Sequence, residues 1–144
     1  MPANVTNIKN QIASYLTELV TAGTLGAKIA DDYQQGIFDR DYPAYPVAIL
    51  TTPATDSEVY TNTQVYRTHA FEVVVLMKGE NVASATDVET LIETLLDKFD
   101  HNPTLNGTCQ ELTAASSQPA AVSDRGKRFV AFSITLRAKA IKAP

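Results

Sequence analysis

Cysteine and histidine are the scarcest chemistry-bearing residues of this sequence, with one and two copies. The single cysteine, Cys109, excludes an internal disulfide and a cysteine-based zinc site, so we expect a fold that suits a reducing cytoplasm. Apolar runs are also short, and none approaches the roughly 18 residues that a membrane helix needs. Residues 1–10 lack a basic stretch followed by an apolar run. These absences predict a soluble protein that is not exported by these routes.

Glycine and proline are infrequent as well, with six and seven residues in the chain of 144. This composition excludes collagen-like and low-complexity chains. Hydrophobic residues make up 44% of the sequence and charged residues 19%, which is typical of a globular protein. Because 144 residues is the usual size of one folding unit, we predict a single domain over residues 1–144.

The spacing of apolar residues predicts two amphipathic helices. The first covers residues 5–20, with Asn4 able to cap its start and Gly23 to close its end. The second starts at Thr86, which forms a capping box with Glu89, and ends near residue 100. The side of this second helix that turns away from its apolar residues is acidic.

Four further stretches predict strands, and the strongest of them is apolar on both faces, as a central strand should be. Residues 51–62 predict a loop or a flexible hairpin arm, and residues 116–126 a polar connection. The resulting order predicts an α+β fold, in which two helices pack on one face of a largely antiparallel sheet of four to five strands. The predicted strands are residues 47–50, 65–77, 108–114 and 128–141.

No catalytic motif occurs, since the sequence lacks a nucleophile elbow, a phosphate-binding glycine loop, a dinucleotide fingerprint and a zinc-protease motif. We interpret His69 and His101 as structural or surface residues and Cys109 as a small, partly buried thiol. Glu72 is unusual among apolar neighbours, and a terminal Arg or Lys on a neighbouring strand or subunit is its simplest partner. We therefore predict no enzymatic activity, no cofactor and no metal.

An acidic cluster leaves an alternative open. Its four carboxylates suit a hard cation such as Mg²⁺ or Ca²⁺, although their spacing does not match an EF-hand loop. A solvated loop is the other interpretation, and a small enzyme or binding domain that uses these carboxylates is the alternative function. The residues are Asp31, Asp32, Asp39 and Asp41.

Charge is divided unevenly along the chain. Residues 1–124 contain all 16 acidic and six basic residues, a net charge of −10, whereas residues 125–144 contain six basic residues and no acidic one, a net charge of +6. One interpretation is a basic terminal strand beside acidic neighbours in the same sheet. The other is a surface that binds an acidic patch on another copy or another protein. Nucleic-acid binding is disfavoured, because these basic residues are not interleaved with stacking aromatics.

The layout resembles the tail terminator proteins of long-tailed bacteriophages, the family that includes the lambda-type minor tail protein U. The resemblance extends over nearly the whole chain: the N-terminal helix, residues 37–50 (IFDRDYPAYPVAIL), the variable arm at 51–62, the long strand at 65–77, the helix at 86–100, the turn with Pro103 and Leu105, and the closing strand. Head-completion and tail-completion ring proteins of the same particles share much of this order of elements, and a connector of that kind is a second alternative.

This resemblance implies a structural virion protein without a reaction or a cofactor. It implies a hexameric ring that terminates the tail tube and forms the tail side of the head-tail joint, assembled in the host cytoplasm. The implied partners are further copies of the chain, the tail tube protein and a head-completion or connector protein, with genome DNA passing through the ring without specific binding and with no membrane. Extended arms and charged turns suit such contacts. The candidate interface residues are Glu58, Tyr60, Tyr66, Arg125, Lys127 and Arg128.

Overall fold

Two helices and seven strands form the part of the chain that the computed structural model describes, which is residues 5–32, 44–51, 53–78, 85–124 and 127–142. No helix in these ranges is both long and apolar enough to cross a membrane. The elements are α1 (Val5–Thr21), β1 (Ala27–Asp32), β2 (Val47–Thr51), β3 (Ala54–Thr61), β4 (Gln64–Lys78), α2 (Ala85–Asp100), β5 (Glu111–Ser116), β6 (Ala120–Asp124) and β7 (Lys127–Lys142).

The two longest strands, β4 and β7, form an antiparallel pair at the centre of the sheet. Their register runs from Val65 opposite Lys142 to Lys78 opposite Phe129. At about 3.4 Å per residue this pair is about 45 Å long. Both sequences alternate or are continuously apolar where helices cover them, as the apolar pattern predicts.

Shorter strands flank this pair on both sides. β2 and β3 lie along the free side of β4, whereas β5 and β6 lie along the free side of β7. Between the two short strands on each side, the chain has one residue more than the long strand it follows. Leu50 faces Val73 but Ala54 faces Ala70. On the other side, Ser116 faces Ile134 but Ala120 faces Ala131. Pro53 and Pro119 occupy these two breaks, where a missing backbone N–H does least harm to a ladder.

The predicted α+β class with two helices is confirmed, but the sheet differs from the predicted four to five strands. It has seven strands and is mixed, because β1 pairs in parallel with β2. The strands that the sequence does not predict are β1, β3 and β6, which lie in segments where polar residues and turn formers interrupt the alternation of apolar residues. Of the two interpretations of residues 51–62, the hairpin arm is correct, because Ala54–Thr61 pairs with β4. The connection at 116–126 likewise contains β6.

Both helices pack on one face of the sheet, which we call the inner face. Odd-numbered residues of β4 such as Phe71 and Val73 point to this face and join Leu16 of α1 and Leu95 of α2 in one buried cluster. On the opposite, outer face a smaller cluster surrounds Leu76 of β4 and includes Val47 and Ile49 of β2. Burial on both faces at this end explains why β4 is continuously apolar there.

Gly23 ends α1 as the sequence predicts. It has a φ of 85°, and its N–H donates to the Val20 carbonyl at 3.1 Å while the Thr24 N–H donates to the Leu19 carbonyl at 3.0 Å. These two bonds form a Schellman cap, which favours glycine. Gly26 has a different role, since a Cβ there would lie 2.7 Å from the Tyr45 carbonyl oxygen. The chain therefore needs glycine where β1 begins beside the residues that precede β2.

We predict that Phe71→Ala lowers the free energy of unfolding by about 3–5 kcal/mol, because it leaves a cavity under both helices. Val59→Ala is the matched control, since Val59 lies on β3 with 82% of its surface exposed, and we expect it to change stability by less than about 0.5 kcal/mol. Urea unfolding followed by circular dichroism measures both changes. Similar losses in the two variants would contradict the assignment of the core.

Candidate functional site

β3 and the first residues of β4 form a hairpin whose β3 strand is exposed; we call residues 54–70 the arm. All eight residues of β3 are exposed. The two large hydrophobic residues that stand exposed in the described part of the chain both lie here, Val59 with 82% and Tyr60 with 47% of their surface accessible. Scattered exposed apolar residues are ordinary, but two neighbours at the end of an exposed strand favour a contact surface.

Three of the predicted interface residues meet on this arm. Glu58 lies directly opposite Tyr66 across the strands, and the rings of Tyr60 and Tyr66 have centroids 4.4 Å apart at an interplanar angle of 48°. Partial removal from water raises the pKa of Tyr66 above its usual value, and the neighbouring Tyr60, Glu111 and Glu58 raise it further. The pair of rings gives the arm an aromatic surface of the kind that packs against a partner.

Lys139 of β7 joins the tyrosines on the outer face. Its Nζ lies 4.1 Å from the centroid of the Tyr66 ring, which is a cation-π distance. Lys139 also faces Glu111 of β5 in the register. Lys139 therefore fits the first interpretation of the charge division, in which the basic terminal strand lies beside acidic residues of its own sheet. It is not among the predicted interface residues. The alternating pattern of the last strand places Lys139 on the same polar face as Arg137, and this pattern is the sequence feature that could have identified it.

Arg137 borders a small open depression next to this cluster. The depression has a volume of about 160 Å³ and is lined by Thr68, Glu111, Thr113, Arg137 and Lys139. Arg137 is exposed and makes no ion pair with any residue the structure describes. The outer face at the arm thus combines aromatic rings, hydroxyls and both signs of charge, a composition that suits contact with another protein.

The basic segment 125–128, which contains the other three predicted interface residues, lies apart from the arm. Arg125 is outside the described residues, while the backbones of Lys127 and Arg128 pair with Asp124 and Ser123 in the β6–β7 hairpin. The far end of β7 reaches Lys142, opposite Val65 of the arm. The two predicted contact segments therefore lie at opposite ends of the central strand pair, about 45 Å apart along the strands.

Residues weighed for catalysis are scattered. His69 is buried and its Nδ1 lies 2.8 Å from the Thr55 hydroxyl on the inner face, whereas His101 is exposed after the end of α2. Asp31 and Asp32 end β1, and Asp39 and Asp41 lie outside the described residues. No group of three or more His, Cys, Asp or Glu side chains converges in the ranges that the structure covers.

Glu72 and Cys109 lie among residues of the sheet and the core and not in a reactive cluster of the described chain. The cross-strand neighbour of Glu72 is Thr135, so the expected Arg or Lys does not lie directly opposite it, and the Glu72 carbonyl accepts a hydrogen bond from the Thr51 hydroxyl at 2.8 Å. Cys109 is buried with 6% of its surface exposed. Burial raises the pKa of its thiol to about 11, although a backbone hydrogen bond at Glu111 acts in the opposite direction.

No protein-family model matches this chain, and no curated protein matches it.

We predict that Cys109 resists a thiol reagent such as DTNB at pH 8 in the folded protein and reacts rapidly once urea unfolds it, because burial keeps the thiol protonated and covered. Since the folded-state pKa is raised, this group favours folding below the pKa of the unfolded thiol, and that contribution is lost as pH rises from 9 towards 11. Wild type should therefore lose more stability than Cys109→Ala over this pH range. Equal losses would contradict the burial of the thiol.

Proposed function

We propose that this protein is a structural subunit of a long-tailed bacteriophage particle, a ring that terminates the tail tube and forms the tail side of the head-tail joint. The observation that carries the proposal is the arm, which exposes Val59 and Tyr60, whereas every other large hydrophobic side chain that the structure describes is at least partly buried. A chain that folds alone gains nothing from such a hairpin. A chain that assembles gains aromatic contact area, which is enriched at protein interfaces.

The placement of the two contact segments suits a ring. A closed ring joins each subunit to the next through two different surfaces, one on either flank. The arm with Tyr60 and Tyr66 and the β6–β7 hairpin with Lys127 and Arg128 lie at opposite ends of the central pair. The number of six subunits follows from the resemblance to tail terminators, whose ring matches the tube that it closes.

The same resemblance supplies the proposed partners, namely the tail tube protein and a head-completion or connector protein. DNA would pass through the ring without specific contacts, which agrees with a net charge of −4 for the chain. Another head-tail connector or tail-completion ring would use the same arm. Binding to isolated tube ends distinguishes these two functions, because only a terminator binds them without the head.

We predict that the purified chain assembles into rings of six copies of its 15.6 kDa subunit, alone or after addition of tail tubes. Native mass spectrometry and light scattering over a concentration series measure the size, and electron microscopy with a labelled subunit shows where the ring binds. Because charged edges contribute, assembly should weaken as salt rises. A chain that stays monomeric and does not bind tube ends would contradict the proposal.

We predict that Val59→Asp weakens assembly about tenfold or more without lowering the melting temperature, because it places a carboxylate at the exposed end of the arm. Ser14→Asp is the control, because Ser14 is exposed on α1 and the substitution adds the same charge away from the arm. Sedimentation velocity measures assembly, and thermal unfolding measures stability. If Ser14→Asp weakened assembly and Val59→Asp did not, the contact surface would lie on the helices.

A further inference from the structure

Among the described strands, β3, β5 and β6 each leave one side unpaired, as does β1, which flanks β2. Of the strands that the structure describes, only β4 pairs with β3; we call the other side of β3 the arm edge. Across the central pair, β5 and β6 pair only with β7 among these strands and leave a second open side, which we call the far edge. Natural proteins usually protect such edges from pairing with other chains.

The arm edge has two acidic residues, Asp56 and Glu58, and lacks the other blocking residues. Its eight residues, ATDSEVYT, include no lysine, arginine or proline, although these are common blocking residues in edge strands. All eight are exposed, so no other element covers the strand. The edge is thus accessible over its full length, about 26 Å at the usual rise per residue.

The far edge presents free backbone groups. The Leu112 N–H donates to the Pro103 carbonyl at 2.8 Å and therefore points away from β7, whereas the Ser117 N–H donates to Ser133 of β7 at 2.8 Å. Because successive N–H groups of a strand alternate in direction, those of Ala114 and Ser116 also point away from β7. The loop around Pro103 closes the first position of this edge and leaves the following ones open.

Between its two terminal acidic residues, Glu111 of β5 and Asp124 of β6, the far edge has mostly small neutral residues. Residues 112–123, LTAASSQPAAVS, contain no charged side chain. Residues 115–121 are all exposed, and most of them are alanine or serine. An incoming strand therefore meets small neutral side chains that leave room for Val59 and Tyr60.

We propose that the arm edge of one copy pairs with the far edge of the next copy, so that one continuous sheet runs from subunit to subunit. The inference rests on the proposed ring and names the contact that builds it. The topology sets the orientation: β3 is antiparallel to β4, β4 to β7 and β7 to β5, so β3 and β5 are antiparallel. β1 lies outside β2 on the side of the arm edge and reaches one strand further out than β3. A second copy that keeps the same orientation and is also shifted along the strands, so that its β1 clears β6, therefore brings its β3 antiparallel to the far edge of the first, with both pairs of helices on the same face.

Charge favours this pairing over a twofold pairing of two arm edges. Antiparallel pairing of β3 with itself would bring Asp56 and Glu58 of two copies together on adjacent strands. Like charges opposite each other destabilise a sheet. The far edge presents no charge to these carboxylates between Leu112 and Ser123. The arm edge therefore fits a different surface of the same chain better than it fits itself.

Cysteine cross-linking tests the contact in the full chain with Cys109→Ala as background. Ser57 lies opposite Arg67 and points to the inner face, as do Ala114, Ser116 and Ala121 on the far edge. Residues directly opposite in a sheet share a face, and their Cα atoms lie about 4.5–5.5 Å apart, within disulfide range. We expect Ser57→Cys to form a disulfide with at least one of Ala114→Cys, Ser116→Cys and Ala121→Cys when the two single variants are mixed.

The controls are Ala115→Cys and Ala120→Cys, which lie on the outer face of the same edge and should not cross-link with Ser57→Cys. Each variant is first shown to melt within about 3 °C of the background, so that only folded protein is compared. Covalent dimers in the mixture, absent from either single variant, support the inference.

Two outcomes would overturn it while leaving the proposed function intact. Rings that form without any cross-link from Ser57→Cys would show that another surface joins the subunits. Dimers of Ser57→Cys alone would show twofold pairing of the arm edges. Failure of every variant and of the background to assemble, with or without tail tubes, would instead reject the proposed ring and this inference with it.

Discussion

The antiparallel pairing of β4 with β7 is the constraint on which the rest of the structure depends. Fourteen residues of each strand face one another from Val65 and Lys142 to Lys78 and Phe129. This register places Phe71 beside Leu136 and Val73 beside Ile134 on the inner face, where both helices pack. It also leaves one side of each strand free along its whole length, and the four short antiparallel strands occupy those two sides.

One strand serves two purposes because helices cover only part of it. β4 is buried or half-buried on both faces from Phe71 to Met77, but its first residues, from Gln64 to Thr68, are half-exposed. The same strand therefore anchors the core at one end and extends the arm at the other. His69 lies between these regions, buried and in contact with Thr55 of β3. An arm rooted in this way is held at a fixed angle to the core, which reduces the ordering that a contact at its tip requires.

Periodicity made the helices and the central pair predictable, since a buried face repeats every 3.6 or two residues. α1, α2, β4 and β7 all follow such repeats. β3 and β6 do not, because they owe their conformation to hydrogen bonds with the long strands β4 and β7 rather than to a buried face. β1 is short and contributes only Ala27 and Ile29 to the outer cluster, which is too few residues to show a repeat. The sequence predicts Glu58, Tyr60 and Tyr66 as interface residues, and the structure brings these three together. The exposure of Val59 and the position of Lys139 over Tyr66 depend on cross-strand register, which the sequence does not state.

Free edges are a hazard for a protein that exists as separate subunits before it assembles, because any exposed strand invites pairing. Two features of this chain limit that hazard. Asp56 and Glu58 disfavour pairing of the arm edge with itself, while the breaks at Pro53 and Pro119 keep each open edge short. Sheets also twist by about 20–25° from strand to strand. In the proposed assembly, copies joined edge to edge would therefore turn relative to one another and would not form a flat sheet, the form that stacks into fibres.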